Sequence, residues 1–200
     1  SNSKTHSNSE LKRELNSFNK FTKKNYKRKL IYISTADIKN NHKKKNLYIK
    51  NKILIEKIIK RKFKEYIIIR LPQIIGYSSN KNTLINYFYN NIKKNKKIFI
   101  NLGVERNILD IEDVTKVMKI ILSDNNNNNR VVTLSNKYSV KPIEIANIFE
   151  KKLNKKAEIT YVKTTKQKWL IKNAISLKLF SKAKVRFDKN YLLKKINKYY

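Results

Sequence analysis

The chain of 200 residues has no cysteine, two glycines and two prolines. The lack of cysteine excludes a disulfide framework and any thiolate chemistry. No apolar run approaches the roughly 20 residues that a membrane span needs, and no signal peptide is recognisable. These absences predict a cytoplasmic protein. A length of 200 residues suits one domain, or one domain and a small appendage.

Acidic residues are scarce as well, since 14 Asp and Glu face 48 Lys and Arg, for a formal net charge of +34. Such a charge by itself suggests nucleic acid or an anionic membrane as partner. However, only 7 of the basic residues are arginine, the side chain that reads guanine edges and phosphates bidentately. The lysines are also dispersed, and 28 asparagines accompany them. We interpret the charge as compositional bias, which predicts non-specific polyanion binding only at low salt.

Apolar runs alternate with helical periodicities along the chain, a pattern typical of an α/β fold. A buried strand at 29–33, a helix at 46–63 and a second buried strand at 66–71 form a right-handed parallel unit. The other predicted helices cover 9–24, 83–94, 110–122, 139–153, 169–179 and 190–199, and the other predicted strands cover 97–102, 130–134 and 158–162.

A tyrosine and a lysine stand one helical turn apart at the start of the predicted crossover helix. Tyr48 and Lys52 share a helix face, so the ammonium can favour the phenolate and make Tyr48 a general base near neutral pH. Thr35 or Ser34, at the carboxyl end of the preceding strand, would hold the substrate oxygen whose proton moves. Sites in open parallel sheets do lie beyond the carboxyl ends of the strands.

The Tyr-x-x-x-Lys spacing carries little information in a chain so rich in lysine. It occurs four times, beginning at Tyr48, Tyr77, Tyr89 and Tyr191. Only the copy at Tyr48 combines a helix start with a position 13 residues after a strand that ends in Ser-Thr and before a strand that ends in Arg-Leu-Pro. The order of these features, rather than the pair alone, indicates a site.

Four segments in the same order resemble the extended short-chain dehydrogenase/reductase family, the NAD(P)-dependent epimerases, dehydratases and reductases that act mainly on nucleotide sugars. The segments are Tyr32-Ile-Ser-Thr-Ala-Asp-Ile38, Tyr48-Ile-Lys-Asn-Lys52, Ile69-Arg-Leu-Pro-Gln-Ile-Ile-Gly76 and Arg106-Asn-Ile-Leu-Asp-Ile-Glu-Asp113. The resemblance covers about residues 9–163. It implies the carboxy-terminal part of a Rossmann-type parallel sheet, from 1–76 with 107–136, and a small α/β substrate-binding region, from 77–106 with 137–200.

The resemblance also implies roles for the residues at the strand end and the helix start. Tyr48 would be the catalytic base, and Lys52 its partner and a ligand of the nicotinamide ribose, so that both contact NAD or NADP. Thr35 would orient the substrate hydroxyl, with Ser34 as the alternative. A homodimer through the helices at 9–24 and 46–63 is a further implication.

Three more residues match positions that line the family's ligands. Pro72 falls where the family lines the nicotinamide pocket, and Gln73 falls at the substrate side of the same pocket. Arg106 matches an arginine that pairs with the phosphates of the sugar nucleotide, a role suited to a guanidinium.

The chain departs from the family in its glycines. The family's phosphate-binding Gly-x-x-Gly-x-x-Gly turn is absent, because the two glycines, Gly76 and Gly103, stand 27 residues apart. A dinucleotide site needs glycine where backbone approaches the pyrophosphate. We therefore interpret the chain as a carboxy-terminal fragment that lacks the cofactor half. Ala36-Asp37 stands where dehydratases carry Asp-Glu, which favours an epimerase or a ketoreductase.

Most other polar and aromatic residues are assigned structural roles, and no metal site is predicted. His6 and His42 are interpreted as loop residues, and Trp169 as an anchor of a terminal helix. Arg70 is interpreted as either structural or functional. The acids Asp110, Glu112 and Asp113 are interpreted as helix-start residues, and Asp110 could also brace the pocket. Two alternatives to the enzyme stay open. One is a non-catalytic relic or binding module of the same fold, and the other is a basic nucleic-acid-binding protein.

Overall fold

The computed structural model describes residues 8–25, 27–39, 46–124, 128–167 and 173–200. Its described helices are α1 (Asn8–Asn25), α2 (Leu47–Lys62), α3 (Leu84–Lys93), α4 (Ile111–Ser123), α5 (Pro142–Leu153), α6 (Ala174–Lys182) and α7 (Tyr191–Tyr199). Its described strands are β1 (Leu30–Thr35), β2 (Tyr66–Leu71), β3 (Gln73–Ile75), β4 (Ile98–Val104), β5 (Arg106–Asp110), β6 (Arg130–Thr133), β7 (Ser139–Val140) and β8 (Ile159–Gln167). Helices alternate with mostly parallel strands, so the predicted α/β class is confirmed.

The chain divides into two compact units, residues 1–72 with 119–134 and residues 73–118 with 135–200. The assignment of these units to a cofactor half and a substrate region stays a prediction. No helix in the described ranges combines the length and the apolarity that crossing a bilayer requires. His6, His42 and Trp169 lie outside the described residues.

The first unit contains a parallel sheet in the order β1-β2-β6, with α2 as the crossover between β1 and β2. The central strand carries Ile67, Ile68 and Ile69, which are all fully buried. A continuous apolar run suits a strand that is covered on both faces, whereas an alternating pattern suits one that is covered on one face. The predicted strand–helix–strand unit is therefore confirmed, and Thr35 ends its first strand.

Helices α1 and α2 pack against one face of this sheet. Ile55 and Ile59 of α2, and Phe63 directly after it, form a buried cluster with Ile68 of β2. The half-buried side chains around the cluster come from α1 and from all three strands: Leu15, Phe18, Leu30, Tyr32, Tyr66 and Val131. Asn46 caps α2, since its side-chain oxygen accepts a hydrogen bond of 2.8 Å from the backbone N–H of Tyr48. The cap places Tyr48 in the first turn of α2.

The second unit contains a β3-β5-β7 sheet and a parallel β4–β8 ladder. Its core is built from α3, α5 and α7 together with β3, β4 and β5. Gly76 follows β3 and is required by packing, because a Cβ at this position would come within 2.6 Å of the Ile111 side chain. Gly103 has a φ of 78°, a left-handed conformation that favours glycine.

Several elements differ from the sequence predictions. Strand β3 was not predicted, and β8 extends to Gln167 rather than to residue 162. Strand β5 was not predicted, because its polar first residues, Arg106 and Asn107, resemble a loop. The helix predicted at 139–153 begins only at Pro142, since Ser139 and Val140 pair with β5 as β7. Proline at the first helical position explains this start. The helix predicted at 169–179 is described from residue 174 onwards.

Candidate active site

The first unit brings together four predicted site residues at the carboxyl end of β1. Ser34 and Thr35 end the strand, while Tyr48 and Lys52 lie on consecutive turns of α2. The Thr35 hydroxyl lies near enough to the Tyr48 phenol to lower its pKa. The Thr35 hydroxyl oxygen also accepts a hydrogen bond of 3.2 Å from the backbone N–H of Asp37. The strand end and the helix start therefore present adjoining hydroxyl groups.

Burial dominates the acidity of the Tyr48 phenol. It raises the pKa of Tyr48 above its ordinary value of 10.0, and the carboxylates of Asp37 and Glu14 act in the same direction. Lys52 and the Thr35 hydroxyl lower the pKa of Tyr48 but do not reverse the effect of burial. Lys52 therefore acts on Tyr48 in the predicted direction, while burial keeps the pKa of Tyr48 above its ordinary value. The role of Tyr48 as a general base stays a prediction.

Lys52 is held by two groups outside its own helix. Its ammonium donates hydrogen bonds to Glu14 Oε1 at 2.9 Å and to the Tyr32 hydroxyl at 3.0 Å. The Nζ atom also lies 5.2 Å from the Tyr32 ring centroid and 5.6 Å from the Tyr48 ring centroid. Burial opposes the charge of Lys52, but Tyr32 and Glu14 outweigh it and raise the pKa, so the side chain stays an ammonium.

Glu14 and Tyr32 were not among the predicted site residues. Glu14 accepts a second hydrogen bond, from Asn51 Nδ2 to Oε2 at 3.0 Å, so both of its carboxylate oxygens are engaged by α2. Its position contained a signal, because Glu14 stands three residues after Leu11 and four before Phe18, on the apolar stripe of α1. A carboxylate on an apolar stripe requires a buried partner.

Arg70 has a structural role. Its guanidinium pairs bidentately with Glu56, with Nε–Oε1 at 2.9 Å and Nη2–Oε2 at 2.5 Å. Glu56 is only 3 % exposed and lies one helical turn beyond Lys52. Arginine forks suit this geometry, and the pair compensates the buried charge at the centre of the sheet.

The second unit carries two further predicted site residues. Gln73 and Arg106 lie on the neighbouring strands β3 and β5, where Gln73 pairs in register with Ile108, and both side chains are half-buried. Pro72 is half-buried as well and connects β2 to β3. The structure places these residues but assigns them no ligand.

A cavity of about 640 Å³ opens in the second unit at the end of β4 and the start of α5. Its lining is formed by Ile100, Asn101, Leu102, Gly103, Val104, Glu105, Lys141, Pro142, Ile143 and Tyr161. Clefts that hold small molecules fall in this range of volumes and combine apolar walls with a few polar groups. The cavity is therefore a candidate binding site.

The acids at the start of α4 stabilise the fold. Asp110 is fully buried and caps α4, because its Oδ1 accepts a hydrogen bond of 3.1 Å from the backbone N–H of Glu112. The same carboxylate accepts hydrogen bonds of 2.5 Å from Lys195 and from the Tyr199 hydroxyl of α7. No group of three or more potential metal ligands occurs in the part of the chain that the structure describes.

Solved structures with similar folds support a Rossmann-like α/β class. A dTDP-glucose 4,6-dehydratase from Bacillus anthracis, in complex with NAD, matches with a TM-score of 0.65 at 18% identity over 81% of this chain and 58% of its own. A UDP-glucose 4-epimerase from Thermus thermophilus, also with NAD, has a TM-score of 0.64 at 14% identity over 86% of this chain and 64% of its own. RMD from Pseudomonas aeruginosa, with NADPH, has a TM-score of 0.59 at 16% identity over 75% and 58%.

The sequence itself identifies the family. Residues 17–135 match the NAD dependent epimerase/dehydratase family, so the chain belongs to that family. No curated protein matches the chain. The chain spans about three-fifths of the length of the solved structures described above.

Proposed function

We propose that this chain is the catalytic part of an NAD(P)-dependent epimerase or reductase that acts on a sugar nucleotide. The proposal depends above all on one observation, the grouping of the Thr35 hydroxyl, the Tyr48 phenol and the Lys52 ammonium at the carboxyl end of a parallel strand. A phenol and a cation near the expected position of a substrate hydroxyl are suited to proton transfer. Family membership supports the same reaction class.

Each residue of the group has a distinct task in this proposal. Tyr48 moves the proton of the substrate hydroxyl, and Thr35, or Ser34 in its place, holds the oxygen of that hydroxyl. Lys52 stabilises the phenolate as it forms. A bound nicotinamide would supply the hydride chemistry. Family resemblance proposes Tyr48, Lys52 and Pro72 as its contacts and, separately, Gln73 and Arg106 as ligands of the sugar nucleotide.

The residues present fit the nicotinamide end of the cofactor. The Ser34 hydroxyl is buried beside Thr35 and has no hydrogen-bond partner among the described residues, so it is available to a ligand. The pyrophosphate end lacks the glycine turn that it needs. Ile31 and Ile33 of β1 are 42% and 41% exposed, which is consistent with a further segment that covers this face in the complete enzyme.

The nature of the solved structures supports the substrate class. Two of them are named as enzymes of UDP-glucose or dTDP-glucose, and they are described with NAD, whereas a third is described with NADPH. We therefore propose a nucleoside-diphosphate sugar as substrate and either nicotinamide cofactor. The homodimer through α1 and α2 is proposed on family resemblance alone.

The catalytic role of Tyr48 is tested by Tyr48→Phe in the full-length encoded protein, with UDP-glucose or dTDP-glucose and NAD⁺ as substrates. We expect turnover to fall by roughly 10²- to 10⁴-fold, because the phenylalanine cannot move a proton. Tyr89→Phe is the matched control. It removes a hydroxyl from the same tyrosine–lysine spacing, where Lys93 Nζ donates to Tyr89 at 3.1 Å, and should leave turnover unchanged. Unchanged turnover in Tyr48→Phe would refute the assignment of the base.

A binding module of the same fold is the second candidate, and the missing glycine turn is the observation that favours it. We expect the 200-residue chain alone to bind NAD(H) only weakly, since it has no backbone cradle for the pyrophosphate. Isothermal calorimetry measures this affinity, and a micromolar Kd would contradict the expectation. Binding to nucleic acid that vanishes steeply with salt and ignores sequence would attribute the net charge to composition.

A further inference from the structure

The carboxylate of Glu14 is fixed by two neighbouring residues of α2. Lys52 Nζ contacts Oε1 at 2.9 Å, and Asn51 Nδ2 contacts Oε2 at 3.0 Å. These residues are separated from Glu14 by 38 and 37 positions in the sequence. Lys52 and Asn51 are 8% and 7% exposed and the Glu14 side chain is 24% exposed, so the contact is partly removed from water, where an ion pair is screened less. The contact therefore differs from an ion pair that is fully exposed at the surface.

The hydrogen bonds of the Lys52 ammonium run towards α1 and β1. Glu14 accepts one, and the Tyr32 hydroxyl accepts the other at 3.0 Å. The phenol of Tyr48, in contrast, lies near the Thr35 hydroxyl. The Lys52 ammonium therefore interacts both with a carboxylate and with two tyrosine rings, whose centroids lie 5.2 and 5.6 Å away.

We propose that Glu14 is a positioning residue, which holds the Lys52 ammonium towards α1 and Tyr32 and thereby limits the action of Lys52 on the Tyr48 phenol. The inference rests on the proposed function for its catalytic meaning, because Tyr48 is the base in that proposal. The interaction itself can be measured without any reaction.

The charges around Tyr48 come from three elements. Glu14 on α1 and Asp37 in the turn after β1 oppose ionisation of the phenol, whereas Lys52 on α2 favours it. Tyr32 on β1 is a second phenol, and burial raises its pKa above the ordinary value, so it remains a neutral partner of Lys52. Glu56 is compensated by Arg70. Glu14 is thus the carboxylate that both opposes the Tyr48 phenolate and contacts its cation.

The test is a titration of the tyrosine ¹³Cζ resonances of the 200-residue chain by NMR, with Tyr48 assigned from the resonance that Tyr48→Phe removes. In Glu14→Gln we expect the midpoint of Tyr48 to move to lower pH. Two causes act together, since a negative charge that opposes the phenolate is lost and the ammonium of Lys52 is no longer neutralised. The Tyr32 hydroxyl still retains Lys52 close to Tyr48.

Glu65→Gln is the matched control. Glu65 is exposed in the turn before β2 of the same unit, and the substitution changes the net charge by the same amount. Its Tyr48 midpoint should equal that of the unchanged chain. A Glu14→Gln midpoint that stays in place would overturn the inference. A midpoint that moves to higher pH would also overturn it, because Glu14 would then serve only to keep Lys52 near Tyr48.

A measurement on the unchanged chain covers the case in which Glu14→Gln does not fold. The ¹⁵Nζ hydrogens of Lys52 should exchange with water more slowly than those of the exposed Lys60, because a carboxylate and a phenol hold them. Exchange as fast as in Lys60 would refute the proposal that Glu14 and Tyr32 hold the Lys52 ammonium in place. If Tyr48→Phe retains turnover while Glu14→Gln still shifts the Tyr48 midpoint, the proposed function fails and the inference about Glu14 stands.

Discussion

The same tyrosine–lysine spacing occurs in two buried settings in this molecule. Tyr48 and Lys52 lie on α2, and Tyr191 and Lys195 lie on α7, each pair one helical turn apart near the start of its helix. The ammonium lies 5.6 Å from the ring centroid in the first pair and 5.2 Å in the second. Both lysines contact carboxylates from other elements. The two pairs cannot be told apart by spacing or by the tyrosine–lysine contact.

The partners of the phenol distinguish them. The Tyr191 hydroxyl donates to Asp113 Oδ2 at 2.9 Å and accepts from the backbone N–H of Asp110 at 3.0 Å. Burial and the Asp113 carboxylate raise the pKa of Tyr191 far above its ordinary value, so this phenol keeps its proton. The Tyr48 phenol instead meets the Thr35 hydroxyl, which stabilises the phenolate. Both phenols have a raised pKa, but the Tyr191 hydroxyl is held by a carboxylate and a backbone N–H, whereas Tyr48 lies beside Lys52 and Thr35, in agreement with its proposed role as the base.

The lysines differ in the same way. Lys195 lies between Asp110 and Asp113, with N–O distances of 2.5 and 2.8 Å, so two carboxylates neutralise its charge. Lys52 faces one carboxylate, Glu14, and a neutral phenol. Lys52 therefore keeps a net attraction for Tyr48, whose ring centroid lies 5.6 Å from its Nζ atom. The two pairs therefore differ in the number of carboxylates that contact the lysine, which supports the proposed assignment of Tyr48 rather than Tyr191 as the base.

The largest effect on stability is expected from Asp110→Asn. The substitution removes a fully buried carboxylate that pairs with Lys195 and caps α4, and should lower the free energy of unfolding by roughly 3 kcal/mol. Urea denaturation measures the loss. The control is Asp188→Asn, which breaks the exposed pair with Lys194 and should leave the urea midpoint nearly unchanged.

The pH dependence of the same variant has a definite sign. Although burial opposes it, hydrogen bonds from Lys195 and Tyr199 hold the pKa of Asp110 below its ordinary value of 3.8. A carboxylate with a lowered pKa contributes its stability above that ordinary value and loses it as pH falls through the folded-state pKa. The difference between the unchanged chain and Asp110→Asn should therefore shrink below about pH 4. A difference that persists in acid would contradict the charged pair.

A smaller effect is expected when the two phenols are compared by removing their hydroxyls. Tyr191→Phe leaves the buried N–H of Asp110 without its acceptor, and should cost about 1–3 kcal/mol of stability. Tyr48→Phe should cost less than about 1 kcal/mol, because Thr35 keeps its backbone hydrogen bond from Asp37. Thermal or urea unfolding of both variants tests the order. Equal losses, or a larger loss in Tyr48→Phe, would remove the distinction between the two pairs.

The sequence could predict part of the candidate site, for a physical reason. In a strand–helix–strand unit the carboxyl end of the strand faces the start of the next helix, so Thr35 and Tyr48 were expected to lie together. The rise in the pKa of Tyr48 could not be predicted, because the burial of Tyr48 and the carboxylates of Glu14 and Asp37 arise from packing. Glu14 and Lys52 are 38 positions apart, and no local pattern connects them.

The sequence alone determined the α/β class, the parallel unit around α2 and the membership of the epimerase/dehydratase family, since hydrophobic periodicity and the order of short motifs are local properties of the chain. Only the tertiary structure decided which groups surround each Tyr-x-x-x-Lys pair, namely two carboxylates at Lys195 and a carboxylate and a phenol at Lys52. That decision depends on the distances between distant carboxylates, lysines and phenols, and on the burial that strengthens or opposes each charge.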